Sequence, residues 1–309
     1  MKITTTKKGR LTVLGAVAIG ASVALAGCAS GDPLDSGSGE SASGDALVVG
    51  SQAYYSNEII AELYAQSLEE AGYTVEREYQ IGQREVYVPE LEDGSIDVFP
   101  EYTGNFAQFL DDSVTEGSPE EVEEALAAAL PDGLTSLPIA EANDQDSYTV
   151  TQEFSEENGI TSLADLKDYD GTLTVGAPPE NETRPYGPPG LKSVYGVDVQ
   201  STGIDDGGGP LTVKALLDGS VQLADVYTSS PLIAENDLVV LDDPENLILP
   251  QNVVPIVSDR VDQGAQDAID AVNEVLTTED LQMLNAKSTE DKETSAAIAT
   301  EYLTDKGLL

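Results

Sequence analysis

The amino-acid sequence predicts an α/β protein with two lobes, and two observations support that prediction. Short apolar runs typical of strands alternate with amphipathic helical patterns along the chain, an order that builds mainly parallel sheets. The composition also changes near residues 148–152 and again near 250–255, where the chain becomes extended and β-like. Two such crossings would join two lobes through a double-stranded hinge, with the C-terminal helices returning to the first lobe.

The individual elements follow from apolar periodicity and capping signals. Strands are predicted over 46–50, 74–79, 96–99, 148–152, 172–175, 223–227 and 253–257. Helices are predicted after Ser56, over 84–93 with Pro89 interrupting the pattern, from a capping box at Ser118 to Leu130, near Leu163, over 209–218, and as two or three segments between Gln263 and Leu303. Ligands of open α/β sheets bind beyond the carboxyl ends of strands, so we expect a cleft near Tyr102 and Tyr227.

The chain is predicted to have four parts. Residues 1–27 are interpreted as a lipoprotein signal peptide, and residues 28–45 as a flexible tether. The first lobe is predicted to combine residues 46–149 with residues 252–309, and the second lobe to comprise residues 150–251.

The N-terminus has the pattern of a targeting segment. Four basic residues precede an apolar stretch that ends in Leu25-Ala26-Gly27-Cys28, which resembles a bacterial lipobox. That resemblance implies cleavage before Cys28 and lipid attachment to its sulfur, and it predicts an extracytoplasmic protein anchored to the cell membrane. The alternative is an ordinary signal peptide. The following Gly-, Ser- and Asp-rich segment has little to bury and suits a tether.

The charge of the chain is strongly negative. The sequence has 57 acidic and 14 basic residues, for a net charge of −43. Such a surface repels nucleic acid, so no nucleic-acid partner is expected. We interpret it as a solvated surface suited to high salt, where self-repulsion is screened.

The residue inventory argues against most enzyme classes. Histidine is absent, and Cys28 is the only cysteine, so triads and His-ligated metals are not available. The Gly207-Gly208-Gly209 run lacks the spacing of a dinucleotide loop, and the segment 143–146 lacks the Gly and distal Glu of a calcium loop. We therefore expect no enzyme activity, no cofactor and no metal. Paired carboxylates for glycoside hydrolysis remain open, because the acids are so numerous.

Several segments together identify a family resemblance. They read VGSQAYYSNEIIAELYAQSLEEAGY, REVYVPELEDGSIDVFPEYTGN, ADVYTSSP and LNAKSTEDKE. The chain from about Leu47 to the C-terminus resembles the substrate-binding lipoproteins of osmoprotectant ABC importers, which bind glycine betaine, choline, carnitine and similar quaternary amines. The resemblance implies a type II periplasmic-binding-protein fold, a tyrosine cage between the lobes, and an importer permease as partner. We expect the protein to be a monomer.

The resemblance also implies roles for particular residues. Tyr102 in the EYTG segment, Tyr148 and Tyr227 correspond to cage tyrosines that would enclose the ligand's trimethylammonium head. Asn105 corresponds to a small polar position near the ligand. Arg184 corresponds to an arginine that meets the ligand carboxylate, and Gln52 to a polar partner of the same carboxylate.

One position departs from the family pattern. A fourth cage tyrosine is expected in a Pro-Tyr-Asn stretch, but here the chain has Gln251 between Pro250 and Asn252. We therefore expect Gln251 to stand at the ligand in place of an aromatic wall, with Tyr54 or Tyr55 as alternative sources of the missing ring. A receptor for an amino acid or another polar solute, an extracellular carboxylate-based hydrolase and a surface adhesion module remain as alternative functions.

Overall fold

The computed structural model describes residues 46–309. The predicted signal peptide, the predicted tether and Cys28 lie outside the described residues.

Two five-stranded sheets organise the described chain. The first has the order β2-β1-β3-β10-β4, with β1 at Leu47–Gly50, β2 at Val75–Glu78, β3 at Val98–Tyr102, β4 at Leu134–Ser136 and β10 at Val253–Ser258. The second has the order β7-β6-β8-β5-β9, with β5 at Tyr148–Thr151, β6 at Leu173–Ala177, β7 at Val199–Gly203, β8 at Leu223–Asp225 and β9 at Leu238–Val240. Each sheet forms the centre of one lobe.

Helices pack around both sheets. Those before the second sheet are α1 (Tyr55–Glu70), α2 (Arg84–Glu92), α3 (Thr103–Leu110) and α4 (Pro119–Ala129). Those around the second sheet are α5 (Gln152–Asn158), α6 (Pro188–Gly190), α7 (Pro210–Leu217) and α8 (Leu232–Glu235). The chain ends with α9 (Gln263–Asn273), α10 (Thr278–Thr289) and α11 (Ser295–Lys306).

The sheets are mixed, which corrects the expectation of mainly parallel sheets. Strand β1 pairs parallel with β2 and β3, but β10 runs antiparallel to both β3 and β4. In the second sheet β6 pairs parallel with β7 and β8, while β5 is antiparallel to β8 and β9. The antiparallel strands β5 and β10 each follow a crossing between the lobes, because a chain that enters a lobe from the hinge must run back across its sheet.

The return of the C-terminal helices to the first lobe is observed. Helix α1 buries Ile60, Leu63 and Tyr64 in the same apolar cluster as Ile269 of α9 and Leu303 of α11. The second lobe has its own apolar cluster, which includes Val150, Val175 and Leu223 from three neighbouring strands. Each lobe therefore has a hydrophobic cluster of its own.

Two chain segments cross between the sheets side by side. Asn143 forms an antiparallel bridge with Asn252, and the Asp144 N–H donates to the Gln251 carbonyl at 3.1 Å. The Gln145 Nε2 donates to the Ile248 carbonyl at 2.9 Å. The predicted boundary at 149/150 falls within β5, which pairs only with strands of the second sheet. The division into lobe residues stays a prediction.

Within residues 46–309, no helix has both the length and the apolar character that a membrane span requires.

Candidate binding site

A cavity of about 30 Å³ lies where the two lobes face each other. Tyr102, the last residue of β3, reaches it from the first lobe, and Asp225, the last residue of β8, reaches it from the second. The crossing segment adds Asp144 and Asp146. The site therefore lies at the carboxyl ends of strands from both sheets, where side chains are free to converge.

The structure brings five of the seven predicted ligand-binding residues to this cavity. These are Gln52, Tyr102, Asn105, Arg184 and Tyr227. Tyr148 and Gln251 do not line it, and each has a structural role described below.

Three tyrosine rings lie together at the cavity. Tyr54 is between the other two, with its ring centroid 6.4 Å from that of Tyr102 and 5.2 Å from that of Tyr227. The Tyr54 and Tyr102 hydroxyls are hydrogen-bonded to each other, and the Asn57 amide also donates to the Tyr102 hydroxyl at 3.4 Å. Burial raises the pKa of all three phenols. They are therefore neutral rings at physiological pH.

A glycine loop lets the second lobe approach Tyr54 closely. Gly207 has φ +61°, and a Cβ atom there would lie 2.7 Å from the Tyr54 Cβ. At the neighbouring Gly208, which has φ +68°, a Cβ atom would lie 2.8 Å from the Asp225 carbonyl oxygen. Only glycine combines this backbone conformation with so little space. The glycine run thus serves close packing at the cavity.

Tyr148 supports the cavity from behind. Its hydroxyl donates to the Tyr186 carbonyl at 2.9 Å, and its ring belongs to the apolar core of the second lobe. Tyr186, the residue that it holds, lines the cavity. The tyrosine that lines this part of the cavity is therefore Tyr186, which the sequence analysis did not identify.

Gln251 is fully buried and holds the backbone of α3. Its Oε1 accepts from the Asn105 N–H at 3.0 Å, and its Nε2 donates to the Asn105 Oδ1 at 2.8 Å and the Leu249 carbonyl at 3.1 Å. Its amide is thus used in fixing Asn105. The expectation that Gln251 stands at the ligand in place of an aromatic wall is not met, because the side chain turns towards α3.

Asn105 connects this support to the cavity. Its Nδ2 donates to the Asp146 Oδ2 at 2.5 Å. A chain of side chains therefore runs from Gln251 in one crossing segment, through Asn105, to Asp146 in the other crossing segment.

Gln52 presents an unpartnered donor. Its backbone N–H donates to the Asn57 Oδ1 at 2.8 Å, which fixes the residue in place. Its side-chain Nε2 is buried and has no partner. Across the cavity, the buried Asn181 has an unpartnered Oδ1. The Arg184 Nε is also buried and unpartnered, so the cavity-lining residues offer two free donors and one free acceptor.

Arg184 lines the cavity but is bound to a carboxylate of the other lobe. Its Nη1 and Nη2 lie 2.8 Å and 3.1 Å from the Glu85 carboxylate oxygens, and its Cζ lies 5.6 Å from the centroid of the Phe109 ring. Such a bidentate pair holds the guanidinium in one orientation. Arg184 therefore links the two lobes directly.

Arg84, the other cationic residue at the cavity, is also paired. It makes two hydrogen bonds with the Glu101 carboxylate, of 2.9 Å and 2.8 Å, and both side chains are buried. Removal of either member of such a buried pair should strongly destabilise the fold, because the other would be left as an uncompensated charge.

Carboxyl groups are concentrated at the cavity. Asp144, Asp146, Glu180 and Asp225 all line it. Burial raises the pKa of Asp144 to about 6, although hydrogen bonds from Ser229 and Ser56 oppose the change. Burial also raises the pKa of Asp225, and the adjacent Asp146 raises it further. Within residues 46–309, no group of three or more such side chains is arranged to hold a metal ion.

Comparison with known proteins assigns the chain to a family. Residues 45–305 match the family described as the substrate binding domain of ABC-type glycine betaine transport system. The chain belongs to this family. A substrate-binding domain of this kind is a transport component, not an enzyme.

Two relatives illustrate the similarity of this substrate-binding domain to known proteins. The glycine betaine-binding protein YehZ of Escherichia coli is 28% identical over 275 residues, covering 84% of this chain and 90% of the relative. A solved structure of apo YehZ from Escherichia coli superposes with a TM-score of 0.62 at 25% identity, covering 86% of this chain and 100% of that chain.

A second solved structure supports the fold of the substrate-binding domain. It is that of a glycine betaine/carnitine/choline ABC transporter, with a TM-score of 0.69 at 18% identity, covering 85% of this chain and 99% of that chain. The predicted two-lobed, type II periplasmic-binding-protein fold is confirmed by these similarities together with the two observed sheets.

Sequence reasoning missed several cavity residues of this substrate-binding domain. They are Arg84, Asp144, Asp146, Glu180, Asn181, Tyr186 and Asp225. Only Asp225 had a usable signal, since it lies in a predicted strand two residues before Tyr227. The other acids were hidden among 57 acidic residues, where no spacing stands out.

Proposed function

We propose that this chain is the extracytoplasmic receptor of an ABC importer, and that it captures a quaternary-amine osmoprotectant such as glycine betaine between its lobes. The observation that carries the proposal is the group of neutral tyrosine rings at the inter-lobe cavity, Tyr54, Tyr102 and Tyr227. The receptor with its ligand bound would then deliver that ligand to the permease.

The chemistry of the rings matches that of a trimethylammonium head. A quaternary ammonium has no N–H to donate, and its charge is spread over methyl groups. Aromatic faces attract such a cation through the ring quadrupole, at roughly 0.5–2 kcal/mol per ring. The same rings remove the methyl groups from water, which adds hydrophobic stabilisation.

The size of the cavity requires the lobes to move. A single water molecule needs a cavity of at least about 10–15 Å³. The inter-lobe cavity, at about 30 Å³, is therefore too small for a quaternary amine. Tyr54 and Tyr227 meet across the lobes, as do Glu85 and Arg184. Both contacts must part for a ligand to enter, and the paired crossing segments are the natural hinge.

Membrane attachment is part of the proposal. Lipidation of Cys28 would hold the receptor at the outer face of the cell membrane, and the receptor would act as a monomer beside its permease. Mass spectrometry of the mature protein tests the attachment. We expect Cys28 at the N-terminus with a diacylglyceryl mass, and an unmodified Cys28 would contradict it.

Titration calorimetry tests the ligand class. We expect saturable binding of at least one of glycine betaine, choline and carnitine, with no turnover of the ligand. Glycine is the matched control, because it lacks the three methyl groups of glycine betaine and should not bind. Binding of amino acids without binding of any quaternary amine would favour the amino-acid receptor instead.

A further inference from the structure

We propose that the carboxyl pair of Asp146 and Asp225 is the anionic counterpart of the ligand's cationic head, and that the pair gives up a proton when that head enters the cavity. This inference rests on the proposed function and adds a link between ligand affinity and pH. Its basis is the position of two hydrogen-bonded carboxyl groups at the wall of the inter-lobe cavity.

The pair forms where the crossing segment reaches the second sheet. Asp146 lies just before β5, and Asp225 ends β8, the strand with which β5 is paired. The two carboxyl groups are hydrogen-bonded to each other, and their residues are only 7% and 4% exposed. Two carboxyl groups this close cannot both be ionised away from water, so the pair holds one proton between its members.

Two amide side chains flank the pair. The Asn105 Nδ2 donates to the Asp146 Oδ2 at 2.5 Å, and the Asn181 Nδ2 donates to the Asp225 Oδ2 at 3.5 Å. Asn181 is 3% exposed and lines the cavity, yet its Oδ1 has no partner. The pair therefore belongs to a built polar wall with an unused acceptor, and is not a chance contact between two surface acids.

The shared proton belongs mainly to Asp225. Burial raises the pKa of Asp225 well above its ordinary value, and the charge of Asp146 and the hydrogen bond to it raise it further. Burial also raises the pKa of Asp146, but the hydrogen bonds from Asn105 and Asp225 and the charge of Arg84 oppose the change. Asp225 is therefore the group that would release the proton, and Asp146 is its acceptor.

The two arginines at the cavity do not neutralise the pair. Arg84 is held by Glu101 and Arg184 by Glu85, in both cases through two hydrogen bonds. Each guanidinium charge is thus already matched by another carboxylate.

The neighbouring acids and phenols supply no positive charge either. Asp144 and Glu180 line the same cavity, and burial raises the pKa of both carboxyl groups. Burial also raises the pKa of the phenols of Tyr148, Tyr186 and Tyr227, which stay neutral. The chain has no histidine, so no imidazole contributes to a pH dependence between about pH 5 and 8.

A quaternary ammonium at the cavity would supply the positive charge that the proton otherwise supplies. It favours the ionised form of the pair and so lowers the pKa of Asp225 in the complex. A group whose pKa is lower in the complex than in the free protein loses protons on binding, and the affinity then rises with pH between the two pKa values. One linked proton changes the affinity by up to about tenfold per pH unit.

Calorimetry of the wild-type protein measures the proton directly. Glycine betaine and choline are titrated at several pH values between about 5 and 8, each time in two buffers that differ in ionisation enthalpy. We expect the affinity to rise at least about fivefold over this range, with release of up to about one proton per ligand.

The outcomes of this titration separate the inference from the proposed function. Binding whose affinity is independent of pH, or whose heat is the same in both buffers at every pH, would overturn the inference and leave the proposed function intact. Absence of binding by glycine betaine, choline and carnitine at every pH would overturn both.

Replacement of Asp225 identifies the source of the proton. Asp225→Asn removes the exchangeable proton, while its amide can still donate to Asp146. We expect at least about a threefold smaller proton release than in the wild type, and an affinity at about pH 8 that is at least about fivefold weaker, because one carboxylate facing the cation is missing. Asp170→Asn is the matched control, since it removes the same charge from an exposed position and should leave affinity and proton release unchanged.

A second variant covers the case in which Asp225→Asn fails to fold. Asp225→Ser also lacks the carboxyl group, and the same loss of proton release is expected. Proton release as large as that of the wild type in either folded variant would show that the proton comes from another group, such as Asp144, and the proposal would be wrong.

Discussion

Tyr54 has the most exacting position among the tyrosines that line the cavity, because its ring lies next to both Tyr102 and Tyr227. Its ring packs edge-on against Tyr227 of the second lobe and its hydroxyl bonds to Tyr102 of the first. Tyr54→Ala should weaken choline roughly 5–30-fold, the equivalent of about 1–2 kcal/mol for one cation–π contact. Tyr54→Phe keeps the ring and should change the affinity by less than about threefold.

Calorimetry of both variants measures this difference. Tyr73→Ala serves as a control, because it removes a tyrosine whose hydroxyl bonds to Asp262, away from the cavity. Similar losses in Tyr54→Phe and Tyr54→Ala would show that the hydroxyl, not the ring face, carries the interaction.

Asp144 should make the protein less stable at neutral pH than at mildly acidic pH. Its pKa of about 6 lies above the ordinary value of 3.8 because the carboxyl group is buried. Between these two pH values the folded state holds a proton that the unfolded state has lost. The stabilisation that results from protonated Asp144 is therefore present below about pH 4 and is lost as pH rises through about 6.

The variant Asp144→Asn removes that dependence. We compare the free energy of unfolding of the variant minus that of the wild type at two pH values. This difference should be about 2 kcal/mol more positive at pH 7 than at pH 4. Urea unfolding at several pH values measures it. Asp170→Asn, at an exposed position, should show a constant difference, and a constant difference in Asp144→Asn as well would refute the prediction.

At the residue scale, sequence reasoning worked where a residue lies in a distinctive segment and failed where it is one of many similar residues. Arg184 and Tyr227 could be placed at the cavity because their segments are distinctive. Asp146 could not, since a buried carboxyl group looks the same in sequence as an exposed one. The direction of Gln251 was also beyond reach, because it depends on the spacing between α3 and the second crossing segment.

At the element scale, Gln251 fixes α3 to the second crossing segment. Gln251→Met keeps the length of the side chain but leaves the buried Asn105 N–H without its acceptor. We expect the free energy of unfolding to fall by about 2–3 kcal/mol. Gln200→Met, at an exposed position of β7, should cost less than about 0.5 kcal/mol. Equal stability of Gln251→Met and wild type would show that the network contributes nothing.

Most element positions could be predicted because their signals are local. The capping box at Ser118 is observed at the start of α4, with the Ser118 side chain accepting from the Glu121 N–H. The predicted strand over 96–99 is observed later, at Val98–Tyr102, because pairing with β10 extends it to Tyr102. The short strands β4, β7 and β9 were missed, since they lack a clear apolar alternation and are edge strands of their sheets.

At the scale of the whole molecule, the net charge of −43 sets the response to salt. Repulsion among surface carboxylates destabilises the compact state, and salt screens it. The melting temperature should rise by several degrees between about 0.05 M and 2 M NaCl at pH 7. The gain should shrink at pH 4.5, where many carboxylates are protonated. A melting temperature that ignores salt at pH 7 would contradict this interpretation.

The two-lobed architecture could be predicted because it follows from the order of elements, but the strand directions could not. The alternation of strands and helices does not reveal that β5 and β10 enter their sheets from the hinge. Nor does it reveal how far the lobes close, which depends on contacts such as that between Gly207 and Tyr54.

The strand order β2-β1-β3-β10-β4 also determines when each lobe can be completed during synthesis. All strands of the second sheet lie between Tyr148 and Val240, so that sheet can assemble from an uninterrupted stretch of nascent chain. The first sheet must wait for Val253–Ser258, which fills the place between β3 and β4. The half that begins first in the chain is therefore finished last, and until then β3 presents an unpaired apolar edge that invites aggregation.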